Sequence, residues 1–75
     1  MSKQEAIDKI ILAANRLRAR GLIHYAAAYA KADATMTGRD WEVQCLYILN
    51  NLSGWRGDEA KAVKAFLKGE AARAN

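Results

Sequence analysis

The sequence predicts an all-α protein, a compact bundle of four short helices that forms one domain over residues 1–75. Its composition is 52% hydrophobic and 27% charged, which is too apolar for a disordered chain. It is rich in alanine and poor in β-branched residues, which argues against a β-sandwich. Apolar residues recur at three- and four-residue spacings between capping signals, as in amphipathic helices. The expected helices span residues 3–20, 22–33, 38–52 and 58–71.

The first helix is predicted to begin at Lys3. Ser2 and Glu5 are spaced as a capping box, in which each side chain bonds a backbone N–H at the helix start. One face is then apolar, formed by Ile7, Ile10, Ile11, Ala14 and Leu17. Gly21 is the expected end of this helix.

The second helix is predicted from its alanine content, because alanine has the highest helix propensity. Leu22, Tyr25, Ala26 and Tyr29 share one face of it. The run Ala26 to Ala28 would let another helix approach its backbone closely, and residues 33–36 form the connection to the third helix.

The third helix is predicted to begin at Gly38, where Thr37 and Asp40 have the spacing of a second capping box. Two of its sides are apolar. One carries Trp41, Cys45, Ile48, Leu49 and Leu52, and the other carries Val43, Leu46 and Tyr47. A helix that is apolar on nearly all sides is normally buried on all sides. We therefore expect it to be the central element of the bundle or to be shared with a partner.

The fourth helix is predicted to follow a turn in which Gly54 takes the left-handed conformation. Asp58 is expected to cap its start, since acidic residues favour the first turn of a helix. Its expected buried residues are Ala62, Val63, Phe66 and Leu67. Residues 70–75 are predicted to be a frayed tail.

The net charge of +4 is concentrated at the two ends of the chain: residues 1–20 carry +3, residues 21–54 carry −1 and residues 55–75 carry +2. Two basic stripes result. Lys9, Arg16 and Arg20 lie on the first helix, and Lys61, Lys64 and Lys68 lie on the fourth. On a common face, the six cations would suit a phosphate backbone. The alternative, which we favour, is that each stripe is the solvated back of an amphipathic helix.

The chain has few side chains that could support catalysis or bind a metal ion. One cysteine and one histidine exclude an intramolecular disulfide and a Cys/His zinc site. Cys45 lies on the apolar face of the third helix, where a thiol acts as a small hydrophobe, and His24 is expected at the surface. The carboxylates form no convincing acid/base pair. We expect no catalytic residue, no metal and no cofactor, and hence no enzyme.

The chain has more apolar helix surface than a bundle of this size requires. Leu12 stands on the otherwise polar side of the first helix, and the two tryptophans lie near helix ends. Tryptophan, tyrosine and arginine are the residue types that most often anchor protein interfaces. The candidate protein-binding residues are Trp41, Tyr47, Trp55, Arg56 and Leu12.

These features predict a non-enzymatic interaction protein that occupies the surface of a larger macromolecule, with a protein as the expected partner and a homodimer as a further expectation. Small accessory and inhibitor proteins of phages and plasmids share this profile in size and character. The alternative function is sequence-tolerant nucleic-acid binding by the two basic stripes. No secretion signal is apparent, and the longest apolar run, residues 25–30, is far below the ~20 residues of a membrane helix. A cytoplasmic protein with no membrane partner is therefore expected.

Overall fold

The computed structural model describes residues 1–17 and 21–73 of the chain. Its four helices are α1 (Lys3–Arg16), α2 (Leu22–Ala32), α3 (Gly38–Asn50) and α4 (Asp58–Ala72), and the described residues contain no strand. The predicted all-α, four-helix architecture is confirmed. None of the helices in residues 1–17 and 21–73 has the length and apolar character needed to cross a membrane.

The helices form a closed ring in which each one packs against the next and α4 returns to α1. Side-chain contacts fix their directions. Glu59 at the start of α4 reaches Arg16 at the end of α1, and Trp41 near the start of α3 bonds Glu70 near the end of α4. Helix α4 is therefore antiparallel to α1 and to α3. The short connections of α2 to α1 and to α3 favour the same arrangement for α2. The molecule measures 32 × 23 × 19 Å.

The core fills the centre of this ring with branched aliphatic side chains and alanines. The fully buried large side chains include Ile7, Ile10, Ile48, Leu52 and Leu67. Each contributes roughly 1.5–3 kcal/mol through removal from water.

In α1 the predicted cap is present: the Ser2 hydroxyl oxygen accepts a hydrogen bond from the Glu5 N–H at 3.1 Å. Ile7, Ile10 and Ala14 are buried as expected. The helix ends at Arg16 rather than at residue 20, so Leu17 lies beyond its last turn and is 49% exposed instead of buried. Residues 18–20, which the prediction included in this helix, are outside the described part of the chain.

In α2 the buried side differs from the predicted face. Ile23 and three alanines point into the core. Ala26 is the only member of the predicted face among them, and Leu22, Tyr25 and Tyr29 are exposed. The small alanines thus form most of the packed side of α2, and its larger side chains other than Ile23 are directed outward. Gly21 has a φ of 71° and immediately precedes α2.

In α3 the side that carries Trp41, Cys45, Ile48 and Leu52 is buried as predicted. The second capping box does not form, because the side chain of Thr37 makes no capping hydrogen bond. The helix ends at Asn50, two residues early, since the Asn51 and Leu52 N–H groups bond carbonyls three residues back in a tight turn. On the second apolar side, Val43 is half-buried but Leu46 and Tyr47 are exposed, so α3 is not a central helix enclosed on all sides.

At the start of α4 the left-handed residue is Gly57, with a φ of 113°, and not Gly54. Gly57 also takes the cap position, so Asp58 is the first helical residue and not the cap. Val63 and Leu67 are buried as predicted, but Ala62 is exposed because it lies on the outer side of the helix. Phe66 is half-buried.

The helix α4 continues through Ala72, into the segment that the sequence predicts to fray. Ala71 is buried and Glu70 is bonded to Trp41, and both contacts hold the last turns against the core. Residues 74 and 75 are outside the described part.

Candidate functional site

Both tryptophans belong to the core and not to the surface. Trp41 is 4% exposed and Trp55 is 6% exposed. The Trp41 Nε1–H donates to Glu70 Oε1 at 3.0 Å, and the Lys3 ammonium stands 4.4 Å from the centroid of the Trp41 ring. The expectation that these two side chains contact a partner is therefore corrected: their surface is already used inside the bundle.

The other three candidate contact residues are exposed, but the fold does not bring them together. Tyr47 is 52% exposed on α3, and Leu12 is 57% exposed on α1. These two helices stand diagonally in the ring and do not pack against each other. Arg56 is exposed in the α3–α4 connection. Tyr47 and Leu12 therefore do not belong to the same binding surface.

Three large apolar or aromatic side chains of α2 are exposed as Tyr47 is, and the sequence pattern did not assign them to the surface. Leu22, Tyr25 and Tyr29 on α2 are 46%, 58% and 43% exposed. We call these three residues with Tyr47 the tyrosine face. It contains all three tyrosines of the chain.

Helix geometry places the tyrosine face along the α2–α3 pair. The flank of α2 toward α1 is occupied by His24, Ala27 and Lys31, which line a depression together with α1 residues. The α2 members of the tyrosine face lie on the opposite flank, next to α3. At 100° per residue, Tyr47 lies about 125° from the buried direction of α3, on the flank that turns toward α2.

The two predicted basic stripes do not form one surface. Lys9 Nζ and Arg16 Nη2 each lie 3.4 Å from a carboxylate oxygen of Glu59 on α4. At 100° per residue, the stripe of Lys61, Lys64 and Lys68 lies about 170° around α4 from Glu59. Two cations of the α1 stripe thus face a carboxylate, and the α4 stripe lies on the other flank. Arg20, the third α1 member, is outside the described residues.

The α4 stripe continues into the preceding turn. Arg56, Lys61 and Lys64 line an open depression of about 450 Å³. Lys64 Nζ also donates to the Trp55 carbonyl oxygen, so part of this stripe has a structural role.

The nucleophile and base candidates are far from a catalytic arrangement. Cys45 is fully buried, and burial, followed by the nearby Glu70 carboxylate, raises the pKa of its thiol to about 12. His24 is exposed and touches the edge of the Tyr25 ring, with centroids 5.9 Å apart. Within residues 1–17 and 21–73, no three His, Cys, Asp or Glu side chains are grouped so as to hold a metal ion.

One buried polar group was missed by the sequence reading, which treated residue 33 only as part of a connection. Asp33 is 4% exposed, and its Oδ2 has no hydrogen-bond partner among the described residues. Burial raises the pKa of this carboxyl, while the Lys3 ammonium acts in the opposite direction. No local signal identifies such a residue, because its burial depends on how α1 meets the end of α2.

The chain matches no known protein family, no curated protein and no solved structure at significant similarity.

Proposed function

We propose that this chain is a non-enzymatic interaction protein that acts by binding a protein partner through exposed apolar side chains. The observation that carries the proposal is the tyrosine face, whose four large side chains are 43–58% exposed in a molecule with a small core. This role also fits the accessory or inhibitor character, and the cytoplasmic location, inferred from the sequence.

Tyrosine suits such a role for physical reasons. Its ring supplies a large apolar contact area, its hydroxyl can find a hydrogen-bond partner, and few rotatable bonds are immobilised on binding. Leu22 adds aliphatic area to the three rings, and a single exposed leucine alone would need no explanation.

Affinity capture tests this proposal. Immobilised protein is incubated with an extract of the host cells, and the retained proteins are identified and quantified. We expect one protein to be retained in stoichiometric amount by the wild type, and retention to fall at least about 30-fold for Tyr47→Lys, as for loss of an interface anchor. Leu12→Lys is the matched control, since Leu12 is equally exposed but lies on α1. Equal retention by all three proteins would contradict the proposal.

A second candidate function, nucleic-acid binding, is favoured by one observation: Arg56, Lys61 and Lys64 line a common depression that no carboxylate lines. A gel-shift titration between about 50 and 200 mM salt separates the two functions, because phosphate contacts weaken steeply over this range. If the chain binds nucleic acid, the wild type should shift it at low salt. The double variant Lys61→Ala/Lys68→Ala should abolish this shift, and the control variant Lys31→Ala should leave it unchanged. The absence of any shift at low salt would exclude it.

A further inference from the structure

We propose that the tyrosine face binds a second copy of this chain, forming a two-fold symmetric dimer in which α2 and α3 of each copy meet. This inference rests on the proposed function, since it names the first partner of the same exposed side chains. Three properties of the face favour a second copy as the occupant: its area, its charge and its chemistry.

The area suits the centre of a dimer interface. A buried tyrosine removes 150–250 Å² from water, so three half-exposed tyrosines and Leu22 offer roughly 300–450 Å² of mostly apolar surface. A stable interface buries about 800 Å² on each copy, with an apolar centre and a polar rim. The face supplies a large part of that centre. The surrounding polar side chains of α2 and α3, such as Gln44 and Asn50, would supply the rim.

The charge distribution permits two copies to meet here. Helices α2 and α3 carry Lys31 and Arg39 against Asp40 and Glu42. The cations that produce the net charge of +4 lie mainly on the first and last parts of the chain. Docking through α2 and α3 keeps the basic sides of two copies apart, which limits like-charge repulsion. A strongly acidic partner would instead be attracted to the basic sides.

The chemistry of the face is self-complementary. A two-fold interface places the same patch on both sides, so its side chains must be able to pack against themselves. Tyrosines meet this condition, because their rings pack edge to face and each hydroxyl both donates and accepts hydrogen bonds. A patch of one charge sign would fail it. Apolar surface buried between two copies would also stabilise a chain of 75 residues, whose own core is small.

Light scattering or sedimentation over a concentration series tests the inference, from about 1 to about 500 µM, because association depends on concentration. The wild type is expected to reach twice its 8.3 kDa mass. Tyr25→Lys and Tyr47→Lys should each raise the dissociation constant at least about 30-fold. Leu12→Lys, which introduces the same charge at an equally exposed position on α1, should dimerise as the wild type does. Circular dichroism checks that each variant keeps its helix content.

Two results would overturn the inference: a wild type that remains at 8.3 kDa throughout, or a dimer that the tyrosine variants leave intact. These results are distinguishable from failure of the proposed function. A monomer that still captures another protein through Tyr47 refutes the dimer and keeps the function. A monomer that captures nothing refutes both.

Discussion

Individual residues in this bundle change their chemistry through burial, and Cys45 shows this most clearly. Burial in the core excludes water from the thiol, which favours the neutral form. The same residue on an exposed helix would be a reactive nucleophile near pH 9. Because the thiolate is the reactive form, the fold lowers the reactivity of the one thiol of the chain near neutral pH.

The raised pKa of Cys45 predicts how stability depends on pH in alkaline solution. The thiol ionises near pH 9 in the unfolded chain and near pH 12 in the folded protein. Between these values the unfolded state releases a proton that the folded state keeps. The free energy of unfolding should therefore fall by about 1.4 kcal/mol per pH unit from this group.

Urea unfolding at pH 7, 9 and 10 measures this effect, and Cys45→Ala is the control. The variant should lose about 1 kcal/mol at pH 7, as a buried substitution does, and show a shallower decline above pH 9. All other side chains are common to the two proteins, so the difference between their declines isolates the thiol. Parallel declines would mean that Cys45 ionises as readily in the folded state.

Among the helices of the described residues, only α1 begins with a side-chain capping bond. Ser2 caps α1 with its side chain, whereas Thr37 precedes α3 without a capping bond. The two residues have the same sequence signature, a hydroxyl three positions before an acid. Their backbone angles differ, with a φ of −90° at Ser2 and of −136° at Thr37.

This difference predicts unequal costs for the same substitution. Ser2→Ala should lower the free energy of unfolding by about 1 kcal/mol, because the Glu5 N–H loses its acceptor. Thr37→Ala should change it by less than about 0.5 kcal/mol, since no capping bond is removed. Chemical denaturation of both variants gives the comparison. A Thr37→Ala cost as large as that of Ser2→Ala would show that its hydroxyl caps α3 in solution.

At the scale of the whole molecule, stability depends on closing the four-helix ring. Helix α4 does this by packing on both α3 and α1, with Leu67 fully buried between them. Charge contacts such as that of Glu59 with Lys9 add little, because exposed ion pairs contribute below about 1 kcal/mol. The ring is held mainly by its apolar interior.

Substitution of Leu67 should therefore affect the entire fold. Leu67→Ala removes a fully buried side chain and should cost about 2–5 kcal/mol, a large part of the stability of a domain this small. Leu12→Ala, at a position 57% exposed, should cost less than about 0.5 kcal/mol. Thermal unfolding followed by circular dichroism measures both. Similar midpoints for the two variants would contradict the observed packing of α4.

The candidate site was only partly predictable from the sequence. Periodicity identified a second apolar side of α3, including Tyr47, because this side is visible in the pattern itself. It left open whether that side is buried in the bundle or exposed. It could not tell that Trp41 and Trp55 are internal, since a large amphipathic side chain near a helix end suits either place. Nor could it show that α2 directs Tyr25 and Tyr29 outward, because which side of an alanine-rich helix is buried depends on its neighbours.

The amino-acid pattern alone therefore determined the helix class, the number of helices and most of the buried positions, because these depend on local propensity and on a period of 3.6 residues. The tertiary structure decided which surfaces remain exposed. It paired Lys9 and Arg16 with Glu59, kept the α4 cations on another flank and aligned the tyrosines along α2 and α3. Such relations join residues distant in the chain, and only the packing of whole helices creates them.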